Sequence, residues 1–508
     1  MIASSAQYIL KSTCFHRKIV QMFTNGKGNI IKMSIKKTKI IVTIGPASRS
    51  QKVIEELINN GANVFRLNFS HGSHEDHAET IANINAAAKK LNVFPGILAD
   101  LQGPKIRTGL TAADEPVTLK AGNKIIITTK KIECTDKALC IDYPGILNDV
   151  CIGEEILIND GAIRLKVESI DKEQKQVTCR VLAEGSYSSH KGVNFPNAKL
   201  NVPSFTEKDK KDLDFILTQN VQFIALSFVR NKADILPLAS IIKKSGKHIK
   251  LIIKIEKPEA EKNIDEILDV CDGVMVARGD LGIETSPYIV PLLQKHIISK
   301  ANERVKIVIV ATQMLESMIN SAMPTRAEST DVANAIIDDT DALMLSGETA
   351  VGKYPGLCVD TMSKIATMTE ESSYPDKEVR NLSCDSKIIP HAICEAAAWA
   401  SKDLNYIPVV VFTMSGSTAF YLSKIRNQSP IFAFSSSLQV AAQCSLFWNT
   451  KGFYLPFNNN ILELQKQAEE KLIEKKLVKK GSLIIVISGT TPVKGATNFV
   501  RVKKVGEE

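Results

Sequence analysis

The chain has 508 residues, 44% hydrophobic and 23% charged, with a formal net charge of +9. That length exceeds one ordinary domain, so two to four are expected, and the composition excludes a disordered or fibrous protein. No apolar run reaches the roughly 18 residues of a bilayer span, so a soluble protein with no membrane partner is expected. The lysines are dispersed and accompany no nucleic-acid motif, so the positive balance suits anionic small substrates or plain solubility better than nucleic acid.

The ten cysteines, among them Cys134, Cys140, Cys151, Cys271 and Cys444, form no C-x-x-C pair. They read as reduced, mostly buried thiols, which suits a reducing, cytoplasmic setting. Residues 1–32 contain no acidic side chain but carry Lys11, Arg17, Lys18, Lys27 and Lys32. An organelle transit peptide is one reading of this extension. The others are an unstructured or cleaved tail, or an over-extended start with Met33 as the initiator.

Short β-branched runs then recur at Lys39–Ile44, Asn63–Leu67, Gly96–Ala99, Gln222–Leu226, Leu251–Ile255, Gly273–Ala277, Ile307–Ala311 and Ala342–Leu345. Helical periodicity lies between most of them, as in Gln51–Asn60, His77–Leu91, Glu207–Gln219 and Asp331–Ile337. Eight continuously apolar strands alternating with helices predict an α/β fold, a closed (β/α)8 barrel with its chemistry at the strand C-termini. The gap between the third and fourth strands far exceeds one helix. Its turns (Ala121-Gly122-Asn123, Asn159-Asp160-Gly161) separate β-rich runs at Lys124–Thr129, Glu155–Ile158 and Val177–Val181. The expected organisation is a barrel from 33–104 and 202–371, an inserted all-β, barrel-like lid at 105–201, and a smaller α/β domain at 386–508. A polar linker, Ser372–Asp385, precedes the last domain, whose strands are predicted at Pro408–Phe412, Pro430–Phe434, Gly452–Pro456 and Leu483–Ile487.

The residues just past each barrel strand are polar: Thr43; Arg66 to Gly72; Asp100; Ser227 and Arg230; Lys254 and Glu256; Arg278-Gly279-Asp280; Thr312-Gln313; Ser346-Gly347-Glu348. Charges gathered on one rim are costly unless they serve chemistry. Lys254 and Glu256 stand two apart and face the same way. Glu256 and Asp280 offer hard oxygen ligands for Mg²⁺ or Mn²⁺, and Lys254 beside them could neutralise a transferring phosphoryl group or an enolate. K-x-E can also be a buried ion pair without catalytic meaning. Gly279 and Gly282 permit close backbone approach. The Thr312 hydroxyl suits substrate binding or proton relay, or a cap on the next helix. His71, His74 and His77 read as a surface loop running into a helix rather than a zinc site, with only His71 near the rim.

Taken in order, Lys39–Ser48, Arg66–Gly72, Asp100-Leu101-Gln102-Gly103-Pro104-Lys105-Ile106-Arg107-Thr108-Gly109, Lys191-Gly192-Val193-Asn194, Ile253–Glu256, Ala277–Gly282, Ala311–Leu315 and Leu345–Ala350 resemble the pyruvate kinase family. The resemblance covers nearly everything after Lys36. It implies a barrel with an inserted β-domain cap, a C-terminal regulatory domain and a homotetramer. It implies phosphoryl transfer from phosphoenolpyruvate to ADP, giving ATP and, after protonation of the enolate, pyruvate. It further implies that Glu256 and Asp280 hold the divalent metal, Lys254 stabilises the phosphoryl group and enolate, and Arg66 binds substrate phosphate. Gly279, Asp280 and Thr312 would contact the substrate, with Thr312 a candidate for the proton relay. Asn68, Ser70, His71, Arg107 and Lys191 match nucleotide-side positions. Family members that require K⁺ hold it with residues matching Asn68, Ser70, Asp100 and the Leu101 backbone, and carry Glu where this chain has Lys105. Lysine there resembles the K⁺-independent branch, so activity without K⁺ is expected. Thr413, Ser415, Gly416, Ser417 and Thr418 match an allosteric phosphate pocket closed by the Gly489–Asn498 loop. A sugar or nucleotide monophosphate is the expected class of effector. The rivals are another metal-dependent barrel acting on an enolate, such as a carbon–carbon lyase, and a catalytically dead relative serving as a regulatory protein. The inserted domain and Arg107 argue against the first, and the intact Lys254, Glu256 and Asp280 against the second.

Overall fold

The computed structural model describes residues 36–507 except 197, 199, 373, 375–381, 383–388, 459 and 490–494. The extension at 1–32, most of the linker at 372–385 and the centre of the Gly489–Asn498 loop lie outside the described residues. Eight parallel strands close into a barrel: β1 (Lys39–Thr43), β2 (Val64–Asn68), β3 (Gly96–Asp100), β4 (Phe223–Leu226), β5 (Lys250–Ile255), β6 (Gly273–Ala277), β7 (Ile307–Ala311) and β8 (Ala342–Leu345). β1 pairs with both β2 and β8, so no edge is left open. Each strand predicted from sequence is present, with ends shifted by a residue or two.

Side-chain alternation explains how one strand serves two environments. Ile40 and Val42 face the surrounding helices, whereas Ile41 faces the barrel interior. The same interior file runs Val64–Arg66–Asn68 on β2, Leu98–Asp100 on β3, Phe223–Ala225–Ser227 through β4, and Ile252–Lys254–Glu256 through β5. It is apolar at the base and polar at the mouth. Helix starts are set locally. Ser50 caps Gln51–Asn59, and Ser73 and Thr206 form capping boxes with Asp76 and Asp209.

Between β3 and β4 the chain builds a six-stranded sheet in the order Val193–Asn194, Glu155–Ile158, Ile163–Asp171, Gln176–Ala183, Lys124–Thr128, Ala138–Cys140. A two-stranded ribbon, Val117–Leu119 with Gly185–Tyr187, flanks it. Its apolar core, including Ile125, Leu165, Val177 and Phe195, is separate from that of the barrel.

The C-terminal domain is a five-stranded sheet of β9 (Val409–Phe412), β10 (Ile431–Ser435), β11 (Thr450–Tyr454), β12 (Leu483–Gly489) and β13 (Thr497–Lys504), in the order β11-β10-β9-β12-β13. β13 is antiparallel and was not among the predicted strands. Its residues alternate with charge (Arg501, Lys503), so it carries no continuous apolar run. This sheet packs under the barrel base, where Ile41, Phe223 and Ile307 share one core with Leu446, Phe447 and Ile485. The eight described cysteines are free thiols, all buried except Cys151. No described helix is long and apolar enough to cross a membrane.

Candidate active site

The barrel mouth gathers charge from β2, β3 and β5, with hydroxyls from β1 and β4 between them. Arg66 on β2 donates from Nε to Asp100 Oδ2 on β3 at 2.7 Å, and from a terminal nitrogen to Thr43 Oγ1 on β1 at 2.9 Å. Lys254 Nζ stands 2.7 Å from Glu256 Oε1 and 3.5 Å from Asp100 Oδ1, and donates to Ser227 Oγ at 2.9 Å. Ser227 in turn donates to the Leu101 carbonyl. Glu256 is fully buried, and its other oxygen accepts the Phe228 N–H at 2.7 Å.

The electrostatics are unbalanced. Burial alone would lower the Lys254 pKa, but the carboxylates of Asp100, Glu256 and Asp280 outweigh it and push the ammonium well above its ordinary range. Burial acts to raise Asp100, yet Lys254 and Arg66 hold it below the usual carboxylate range. Three carboxylates thus face two cations in a poorly solvated pocket, and burial, with Asp280 adding to it, raises Glu256 above the usual carboxylate range against the pull of Lys254. The ion pair between Lys254 and Glu256 is real, but it does not close the site. Glu256 Oε1 has no partner besides Lys254 among the described residues. The hard oxygens of Glu256 and Asp280, in a site with one carboxylate more than it has cations to pair, fit a small divalent cation. Among the described residues no cluster of three His, Cys, Asp or Glu could hold an ion unaided, so substrate oxygens and water would complete the shell.

β6 leads directly into a short helix, Arg278–Glu284, that carries Gly279 and Asp280. A Cβ at Gly279 would meet only Thr312, no nearer than 3.5 Å. Packing therefore does not demand glycine there, whereas close approach of a ligand would. Thr312 and Gln313 follow β7 with φ of 71° and 53°. For a β-branched residue the left-handed region is strained. Arg278 holds this turn by donating to the Thr312 and Gln313 carbonyls while pairing with Asp331 at 2.7 Å. The Thr312 hydroxyl accepts the Gly279 N–H at 2.8 Å and donates to the Ala311 carbonyl. It caps no following helix, since Leu315 occupies that position before Glu316–Ile319.

Asn68 Oδ1 accepts the Ser70 N–H, folding the loop after β2. His71 is depressed in pKa by partial burial and then by Arg107, Lys105, Arg66 and Lys208, so it faces a cationic surface as a neutral ring. His74 pairs with Asp212 and stacks on Phe215, while His77 stacks on Phe69 and contacts the His71 carbonyl. The triplet does not converge on a metal. Arg107 and Lys191 are backbone neighbours in the inserted domain: Arg107 bridges Gly192, and Thr108 N donates to the Lys191 carbonyl. The side chains of Lys105, Arg107 and Lys191 make no hydrogen bond or ion pair among the described residues. Lys105 lines a cavity with Asp280, Phe228 and Glu284. The structure does not join it to Asn68, Ser70 or Asp100; the partners of Asp100 are Arg66, Lys254 and Ser227. On the other side of Glu284, a cleft of about 1320 Å³ separates the inserted sheet from Arg278 and Gly279.

Glu348 lies on the rim but is structural: buried, it accepts the Leu315 and Ser346 N–H groups. Sequence reasoning missed Lys257 and Glu284, and no local pattern marks them. In the C-terminal domain, Gly416 at φ 81° turns the chain from β9 into the helix Ser417–Lys424. Thr413 Oγ1 accepts the Gly416 N–H at 3.0 Å, Ser415 and Ser417 hydroxyls lie 2.9 Å apart, and Thr418 contacts Thr497 on β13. Thr413, Ser415, Ser417 and Thr418 line a pocket with Phe457, Ile461 and Gly495; Gly416 shapes the turn without lining it.

The pyruvate kinase barrel-domain family matches residues 35–359, and the pyruvate kinase alpha/beta-domain family matches 391–503. A pyruvate kinase of Staphylococcus epidermidis is 42% identical over 477 residues, 93% of this chain and 81% of that protein. Pyruvate kinase 2 of Synechocystis is 43% identical over 472 residues, 92% of this chain and 79% of that one. The crystal structure of a pyruvate kinase from Cryptosporidium parvum superposes with a TM-score of 0.85 at 36% identity, covering 92% of this chain and 96% of that one. With that barrel, that mouth and these relatives, the chain belongs to the pyruvate kinase family of phosphotransferases.

Proposed function

We propose that this enzyme transfers the phosphoryl group of phosphoenolpyruvate to ADP, giving ATP and pyruvate, as the last step of glycolysis in the cytoplasm. The observation that carries the reading is the charge imbalance at the mouth, three carboxylates against Lys254 and Arg66, opposite three unpaired cations on the inserted domain. Glu256 and Asp280 are the residues that would hold Mg²⁺ or Mn²⁺, which when bound neutralises phosphate oxygens and the developing enolate. Arg66, fixed by Asp100 and Thr43, presents a rigid guanidinium to the substrate phosphate. Lys254, kept protonated by its carboxylate neighbours, stabilises negative charge on the phosphoryl group and then on the enolate oxygen. In this reading Gly279 lets the substrate approach the backbone, and Thr312 turns its hydroxyl from the Ala311 carbonyl to pass a proton toward the enolate carbon. Asn68, Ser70, His71, Arg107 and Lys191 orient the nucleotide phosphates.

Lys105 stands in for the K⁺ charge in this reading, and the pocket at Thr413–Thr418 takes a phosphorylated effector in a homotetramer. A coupled assay of pyruvate formation with and without ADP and Mg²⁺ tests the reaction; absence of ADP-dependent pyruvate would refute it. Turnover in K⁺-free buffer should stay within about twofold, less than 0.5 kcal/mol of barrier. A large loss restored by K⁺ would sink the role of Lys105.

A further inference from the structure

The inserted domain joins the barrel through two chain crossings, and the barrel grips one of them. Arg230 donates to the Leu200 and Val202 carbonyls, and Ser204 Oγ donates to the Phe228 carbonyl. Beyond the crossings, one side-chain hydrogen bond ties the inserted sheet to the barrel mouth among the described residues. Asn194 Nδ2 donates to Glu284 Oε1 at 2.8 Å. The other oxygen of Glu284 pairs with Lys257 Nζ at 2.8 Å, and the carboxylate is buried. Each partner is attached to a part of the site. Asn194 stands three residues after Lys191, Glu284 one helical turn after Asp280, and Lys257 directly after Glu256. Glu284 also lines both the cavity containing Lys105 and the cleft facing Gly279.

We propose that Asn194, Glu284 and Lys257 form a pin that sets the distance between the cationic edge of the inserted domain and the carboxylates of the barrel. They are positioning residues, and the inference rests on the assignment of Arg107 and Lys191 to the nucleotide and of Glu256, Asp280 and Arg66 to the metal and phosphoenolpyruvate. A hydrogen bond to a buried carboxylate is strong, and loss of its donor leaves the acceptor short of a partner. Breaking the pin therefore frees the lid without disturbing the barrel mouth. Affinity for ADP falls while that for phosphoenolpyruvate does not.

The test compares N194A, N194D and the double variant N194D/E284Q by steady-state kinetics in both substrates. Hydrogen exchange of the crossing at Phe195–Val202 is followed in parallel. N194A should raise KM for ADP about tenfold and leave KM for phosphoenolpyruvate within twofold. N194D sets two carboxylates against each other and should raise it further. The double variant reverses donor and acceptor between positions 194 and 284 but costs Lys257 its carboxylate partner, so it should recover part of the loss relative to N194D. Faster exchange at the crossing should accompany the single changes and be slower in the double variant than in N194D. Equal effects on both KM values, no effect on either, or failure of the exchanged pair to recover would overturn the proposal. If the wild-type enzyme forms no ADP-dependent pyruvate, the functional reading fails by itself. The exchange data then still decide whether the pin holds the lid.

Discussion

Two buried charge clusters lie at opposite ends of the same barrel, and they are built on opposite principles. At the base, Lys424 of the C-terminal domain meets Asp341 at 2.9 Å and Asn302 at 2.6 Å, while Arg426 pairs with Asp339 and Asp341 and stacks on Trp448. Two cations face two carboxylates, and burial wins over attraction enough to pull Lys424 down to about 8. At the mouth, three carboxylates face two cations and Lys254 is pushed up instead. A balanced cluster fastens two domains together. An unbalanced one carries an excess of carboxylate that structure alone would not select.

The comparison breaks most sharply on paired neutralisations. E256Q at the mouth should lower kcat on the order of 10²- to 10³-fold, with a melting temperature equal to or above wild type because one of three crowded anions is gone. No loss of turnover, or marked thermal destabilisation, would show that Glu256 belongs to the structural class. D341N at the base should do the reverse. It strands Lys424 in a buried site, leaves Arg426 its pair with Asp339, and should cost about 3–5 kcal/mol in denaturant unfolding, while folded enzyme keeps its turnover. G279A sharpens the distinction, since the protein leaves room for its methyl group. The melting temperature should hold within a degree or two, while KM for phosphoenolpyruvate rises roughly tenfold. An unchanged KM would place the substrate elsewhere.

The smallest effect is a pH slope. Lys424 binds its proton less tightly folded, at about 8, than an unburied lysine does, at 10.5. Between those values the unfolded chain holds more protons, so stability contributed by this group rises with pH. Below about 8 both states are charged and the penalty is constant. Wild type relative to K424M should therefore gain up to about 1.4 kcal/mol per pH unit across that window. A flat difference would mean that Asp341 keeps Lys424 charged after all.

Much of this was legible in the sequence because it is local. Continuous β-branched runs mark the barrel strands, and the period of two along each strand places Lys254 with Glu256 and Arg66 with Asn68 on the interior face. β13 was not legible, since a charged edge strand lacks an apolar run. Thr312 was open between cap and site. Its left-handed turn depends on Arg278 reaching over from β6, 34 residues away in the chain.

What the sequence determined by itself was the barrel, its family and the polar mouth, since periodicity and motif order need no distant partner. The tertiary structure alone decided how the charges add up. Lys254 gains Asp100 from two strands away, Lys424 finds Asp341 across a domain boundary, and Glu284 meets Asn194 from the inserted sheet. Coulomb interactions and desolvation depend on spatial neighbours and burial, and neither is written in the order of residues along the chain.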